Sequence, residues 1–192
     1  MKTLLLAGGL LSLAAFALPP APVPHTRPPD PNTTAEVPQD HKLVIYQLMT
    51  RLFGNKVALN KPYGTIAETG CGKFNDITDR ALDQIKQLGV SHVWYTGVVE
   101  HATMTDYAAQ GIADDDADVV KGRAGSPYAI KDYYDVAPDL AVVVKNRMAE
   151  YEALIKRTHG HGLKVLMDFI PNHVARSYKS DAKPPGVVDL GA

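Results

Sequence analysis

Twice in this chain a helical pattern stops at a glycine and runs straight into a short apolar segment. Ala81, Leu82, Ile85 and Leu88 keep helical spacing, Gly89 stops them, and residues 90–96 (VSHVWYT) follow as a strand. Val144, Met148, Tyr151 and Ile155 form a second stripe, which closes in the turn from Gly160 to Gly162 before the apolar run 163–169. An earlier β-branched and aromatic run, residues 43–48 (LVIYQL), precedes both. Parallel strands cannot be joined by a tight turn, so strand–helix–strand units of this kind place helices across a parallel sheet. The expected class is α/β, with Asn75-Asp76 capping the first helix.

Between the second strand and the second helix lies a connection of unusual length, residues 97–140. Loops that long inside a compact domain are usually functional. This one leaves the C-terminal end of a strand, the end at which parallel α/β folds build their sites. The third strand also ends in chemistry. Asp168, Asn172 and His173 follow it within DFIPNH, and Pro171 stiffens the turn between them. A carboxylate, an amide oxygen and an imidazole can grip sugar hydroxyls or a hard cation. They can equally be a turn cap and surface residues, and from the residues alone both readings stand.

The rest of the chain narrows the choices. Lys and Arg number 20 against 21 Asp and Glu, so no basic stripe exists for nucleic acid or an anionic membrane surface. No glycine-rich phosphate motif follows any strand, which disfavours a nucleotide-binding domain. Met1-Lys2, the apolar stretch 4–18 and the triplet Ala15-Phe16-Ala17 form a secretory signal peptide, residues 1–17. The stretch is too short to span a bilayer comfortably. The expectation is therefore export to the periplasm or the extracellular space, with no membrane span after signal cleavage. Prolines crowd residues 18–41, which read as an extended linker, leaving 42–192 for the folded part. Cys71 is the single cysteine, read as a small residue in the Gly70-Cys71-Gly72 turn rather than a reactive thiol. Asp114, Asp115, Asp116 and Asp118 lack the glycine (Val119 instead) and the glutamate (Gly125 instead) of a calcium loop, so a solvated loop is expected. His159-Gly160-His161 ends the second helix, where histidine suits the dipole.

Read together, the motifs resemble glycoside hydrolase family 13, the α-amylase family. DFIPNH is similar to the family's strand-three motif, VIYQLMTRLFG (44–54) to its first strand, and LGVSHVWYTGVVEH (88–101) to its second strand and following loop. GSPYAIKDYYDVAPDL (125–140) is similar to the loop that carries a substrate-stacking tyrosine, here Tyr128. The resemblance covers about residues 42–180 and implies the N-terminal part of a TIM (β/α)8 barrel, about three strands with their helices, incomplete. It implies cleavage of α-1,4 bonds in starch or a related glucan by a retaining mechanism. His173 would hydrogen-bond the sugar ring, Tyr128 would stack on it, and Asp168 would brace the strand end. Asn172 would give its oxygen to a structural calcium.

The family's reacting groups have no counterpart here. Its nucleophile is an Asp in an Arg-x-Asp setting after strand four, and its acid/base Glu follows strand five. No arginine of this sequence has an aspartate two positions on. The chain thus reads as a fragment of such an enzyme without catalytic carboxylates, the alternative being a non-catalytic carbohydrate-binding remnant of the same family. As it stands, the chain should release no reducing sugar from starch. With open sheet edges in place of a closed barrel it should also show no sharp thermal transition. Reducing-sugar release by pure chain, or a cooperative melt of a soluble monomer, would refute the fragment reading.

Overall fold

The computed structural model describes residues 42–190, so the signal peptide and linker readings fall outside it. In chain order the regular elements are β1 (Ile45–Met49), the single turn α1 (Ile66–Thr69), α2 (Asp79–Gln87), β2 (His92–Thr96), β3 (Val99–His101), β4 (Ile130–Val136), α3 (Arg147–Gly160) and β5 (Lys164–Met167). β1, β2 and β5 form the expected parallel sheet with β2 in the centre. Tyr95 pairs with Leu48 on one side and Met167 on the other. Each strand is shorter than its apolar run, because residues at the run ends turn out of the ladder.

One face of this sheet carries the core. Leu48, Val93 and Tyr95 pack with Phe74, Ile77, Leu82, Ile85, Leu154 and Leu163, all buried. The alternate residues point the other way, where Ile45 is 45% exposed and Trp94 and Leu166 are only half-buried.

Both helices sit slightly off the sequence reading. Thr78 rather than Asn75-Asp76 caps α2, its hydroxyl accepting from the Ala81 N–H at 3.3 Å. Asn75 and Asp76 belong to a 3-10 turn, Phe74–Asp76, in which the Asp76 carboxylate accepts from the Lys73 N–H at 2.8 Å. That turn drives Phe74 and Ile77 into the core before the helix begins. Leu88 lies beyond the last buried turn and is exposed. Gly89, at φ +78°, ends the helix as expected. On α3 the buried stripe is Tyr151, Leu154 and Thr158, whereas Met148 is exposed and Val144 sits in a preceding 3-10 turn. The rotation follows from Tyr95, whose hydroxyl lies 2.6 Å from Thr158 Oγ1 in the core. A threonine in the buried stripe carries no hydrophobic signal.

The long connection is ordered. β3 and β4 pair antiparallel, with the ladder irregular on both sides of Glu100. Gly125 (φ +76°) lies so close to Ala102 that an added Cβ would sit 1.7 Å from the Ala102 carbonyl oxygen, so only glycine fits. Residues 175–179 then run beside β4. Ala175 donates its N–H to the Ile130 carbonyl at 2.8 Å and Lys179 to that of Lys131 at 3.2 Å.

The solvated-loop reading fails at Asp115. Its side chain is 1% exposed and takes Lys131 Nζ at 3.1 Å, the Thr103 N–H at 3.0 Å and the Ser177 hydroxyl at 2.7 Å. Lys131 is itself buried, and a buried ammonium requires a counter-charge. Arg51 and Tyr107 donate to the carboxylate of buried Asp139 and Lys73 to its backbone carbonyl. The free Cys71 is buried beside them, and burial pushes its thiol pKa up, in keeping with a packed, unreactive residue.

His161 does more than end α3. Its ring nitrogens meet Asp79 at 2.9 Å and Asp83 at 2.7 Å, both on α2. Carboxylates on both sides require the doubly protonated ring, and the hydrogen bond to Asp79 raises its pKa. The clamp is therefore complete below the ordinary histidine pKa of about 6.5 and is lost as pH rises through the higher folded value. An NMR titration of the full-length protein should place the His161 midpoint above that ordinary value, and Asp79→Asn should bring it down. An unshifted midpoint in the parent protein would remove the clamp.

Candidate functional site

The chain leaves the sheet at Asp168, directly after β5. Trp94 and Leu166 are register partners on β2 and β5, so the indole lies under the point where the chain turns away. Trp94 Nε1 donates to Asp168 Oδ1. The carboxylate is buried, and its second oxygen has no partner among the described residues. Asp168 is thus anchored to the central strand and has one acceptor left over.

The segment beyond it hangs from β4. The Tyr133 hydroxyl donates to the Ile170 carbonyl and approaches that of His173 at 3.5 Å. Its ring packs at a tilt on Phe169, centroids 5.7 Å apart, and on Tyr178 at 6.0 Å. Burial moves the Tyr133 phenol pKa further up, away from neutral pH. The result is an open cavity of about 410 Å³ lined by Tyr133, Phe169, Pro171, Asn172, His173, Val174 and Leu190. Within it His173 Nδ1 lies 2.9 Å from Asn172 Oδ1. An amide oxygen only accepts, so Nδ1 carries the proton there, and Nε2 makes no bond among the described residues. An imidazole beside exposed aromatic faces can hold a polyol, with hydroxyls on the nitrogen and C–H faces on the rings.

Asp168, Asn172 and His173 therefore gather at the C-terminal end of β5. Tyr128 stands in the turn before β4, its N–H donating to Ser126 Oγ at 3.3 Å and its ring 44% exposed. It does not line the His173 cavity. Tyr133 does, and sequence reasoning gave it no role. The available signal was Tyr133-Tyr134 inside a strand, where consecutive side chains point to opposite faces and one must turn toward the neighbouring segment. As for a metal, calcium takes roughly six to eight oxygen ligands. Asn172 offers one oxygen, already engaged by His173, and no set of three acidic, His or Cys side chains surrounds it among the described residues.

Comparison with known proteins adds a family. The description "Alpha amylase, catalytic domain" matches residues 51–183. An alpha-amylase, MalA, of Haloarcula japonica is 31% identical over 135 residues, spanning 70% of this chain and 15% of that protein. A cyclomaltodextrin glucanotransferase of Niallia circulans is 27% identical over 187 residues, spanning 90% of this chain and 23% of that protein. Among solved structures, the alpha-amylase of Geobacillus thermoleovorans complexed with acarbose is similar at TM-score 0.48 and 26% identity, covering 71% of this chain and 24% of that one. The chain thus spans under a quarter of the length of each of these proteins.

Trp94 is the one donor that Asp168 has among the described residues. Trp94→Phe in the full-length protein should therefore cost about 1–3 kcal/mol, the penalty for an orphaned buried acceptor. Combined with Asp168→Asn, the loss should be less than the sum of the two single losses. Strictly additive losses in a double-mutant denaturation cycle would show that the two side chains are not coupled.

Proposed function

Because the chain belongs to the α-amylase family, we propose that it supplies the opening strands and part of the sugar-binding surface of a retaining glycosidase. The substrate would be starch or a related α-1,4-glucan. The single observation that carries this reading is the cavity at the end of β5, where His173 stands among Tyr133, Phe169 and Asn172. An imidazole with Nε2 available, set among aromatic rings, suits a glucosyl unit better than a phosphate or an extended peptide. Chain-borne charge for an anionic ligand is absent from the cavity lining.

In this reading His173 hydrogen-bonds a hydroxyl of the ring whose bond is cut, and Tyr133 and Phe169 supply the aromatic faces of its cavity. Tyr128, which stands outside that cavity in the loop before β4, would stack on the sugar from there. Asp168, held by Trp94, keeps the end of β5 in place, and its spare oxygen orients a neighbouring catalytic group. Asn172 would offer its oxygen to the structural calcium that the family resemblance implies, but that oxygen is engaged by His173, so its part in this reading is to orient the imidazole. The two carboxyl groups of a retaining glycosidase stand roughly 5–5.5 Å apart. No Arg-x-Asp nucleophile setting occurs in this sequence, so its part is to bind and position. The signal-like residues 1–17 and the proline-rich stretch 18–41 support an exported enzyme with a tethering linker before the barrel.

His173→Ala in the full-length enzyme should lower kcat/KM on a soluble maltooligosaccharide by about one to three orders of magnitude, with melting unchanged. A hydrogen bond that strengthens in the transition state is worth that much at roughly 1.4 kcal/mol per tenfold. Unchanged kinetics would take His173 out of the sugar site.

A further inference from the structure

Glu100 is the least satisfied group among the described residues. It is 1% exposed, and neither carboxylate oxygen has a hydrogen-bond partner. Buried polar atoms in native proteins are paired, and an orphan calls for an explanation such as a bound ion. Its cross-strand partner on β4 is another carboxylate, Asp132, itself fully buried. Like charges directly opposite in a ladder repel, and here they do so out of water. The ladder is irregular on both sides of Glu100, the device by which sheets re-aim one side chain.

A third carboxylate joins them. Asp132 accepts the Tyr134 N–H on Oδ1 at 2.7 Å and the Ala182 N–H on Oδ2 at 3.0 Å, which ties down the chain at Asp181. One oxygen from each of Glu100, Asp132 and Asp181 then lies within 4.8 Å of the others. Calcium–oxygen bonds are about 2.3–2.6 Å, so ligands on opposite sides of one calcium stand about 5 Å apart, and magnesium draws them closer. From this geometry we infer that Glu100, Asp132 and Asp181 form a binding site for a calcium-like divalent cation.

The charges nearby leave room for one. Arg147 is committed to Asp135, with Nε at 2.9 Å, and reaches Asp181 only at 3.6 Å. Lys131 is held by Asp115 and the Ala113 carbonyl. Without an ion, burial and then the charges of Asp181 and Asp135 push the Glu100 carboxyl up to about 8, a measure of how poorly the anion is served there. The site shares no residue with Asn172 and does not rest on the sugar reading. It would fasten β3, β4 and the segment after β5 together one residue away from Tyr133, which hangs the His173 cavity.

Calorimetric and thermal-shift titrations of the full-length protein with calcium chloride after EDTA treatment test this. Calcium should bind and raise the melting temperature, and magnesium should do so less. Glu100→Gln should lose that binding event while melting no lower than the parent in EDTA, since the amide removes a buried repulsion. Asp181→Asn, at an exposed position, should weaken the same event and decides the matter if Glu100→Gln does not fold. Asn172→Ala should keep it. A parent protein with no calcium response, or acid variants that bind calcium with undiminished stoichiometry and shift, would overturn the inference and leave Glu100 a protonated acid.

Discussion

A single buried contact sets the arrangement of the layers. Tyr95 lies on the central strand, wholly inside, and its hydroxyl must find a partner there. Thr158 provides it and in turn donates to the Leu154 carbonyl one helical turn back. This fixes α3 about its own axis, so that Tyr151 meets Phe74 with ring centroids 5.3 Å apart and Leu154 enters the core. With α3 fixed, the turn at Gly162 delivers β5 beside β2, and Asp168 arrives above Trp94. The position of the candidate sugar cavity is a downstream result of how one phenol is satisfied.

Polar anchors do much of the work that an apolar core does elsewhere. The long connection between β2 and α3 holds few of the large apolar side chains in the main cluster. It is organised around Asp115, which serves Lys131, Thr103 and Ser177, and around Asp139, which serves Arg51, Tyr107 and Lys73. Such networks specify geometry sharply because every unmet donor or acceptor in them is costly. They also explain how an excursion of this length holds a tyrosine steady enough to suspend a neighbouring loop.

What could be read from the sequence follows from this division. The alternation of helix, glycine and strand is local, so the parallel sheet, its order along the chain and the stop at Gly89 were legible. The gathering of Asp168, Asn172 and His173 at a strand end was legible for the same reason. Thr158 was not, because its place in the buried stripe depends on Tyr95, far away in sequence. Nor was the burial of Asp115, which a run of aspartates disguises as solvated loop until Lys131 and Ser177 are placed around it. Tyr133 acts on carbonyls of Ile170 and His173 across the whole of α3 and β5; the Tyr133-Tyr134 pair shows that one ring must turn toward a neighbour, but not which segment that neighbour is. The shift of the α2 cap to Thr78 is smaller in kind: three polar residues compete for one role, and packing of Phe74 and Ile77 decides among them.

The strip 175–179 beside β4 bears on the order in which the molecule can assemble. Ser177 completes the shell of Asp115, Ala175 and Lys179 close backbone bonds to Ile130 and Lys131, and Ala182 caps Asp132. All of these partners are made earlier during synthesis than the groups that satisfy them. Until the later segment leaves the ribosome, the Ile130 and Lys131 carbonyls and one oxygen of Asp132 on β4 lack their final donors. Contacts between such distant positions slow folding. The sheet and its helices, built from near neighbours, can form first, while the sugar-facing side waits for the last part of the segment. Nascent chains stalled before residue 175 would then hold a formed core beneath an unfinished rim.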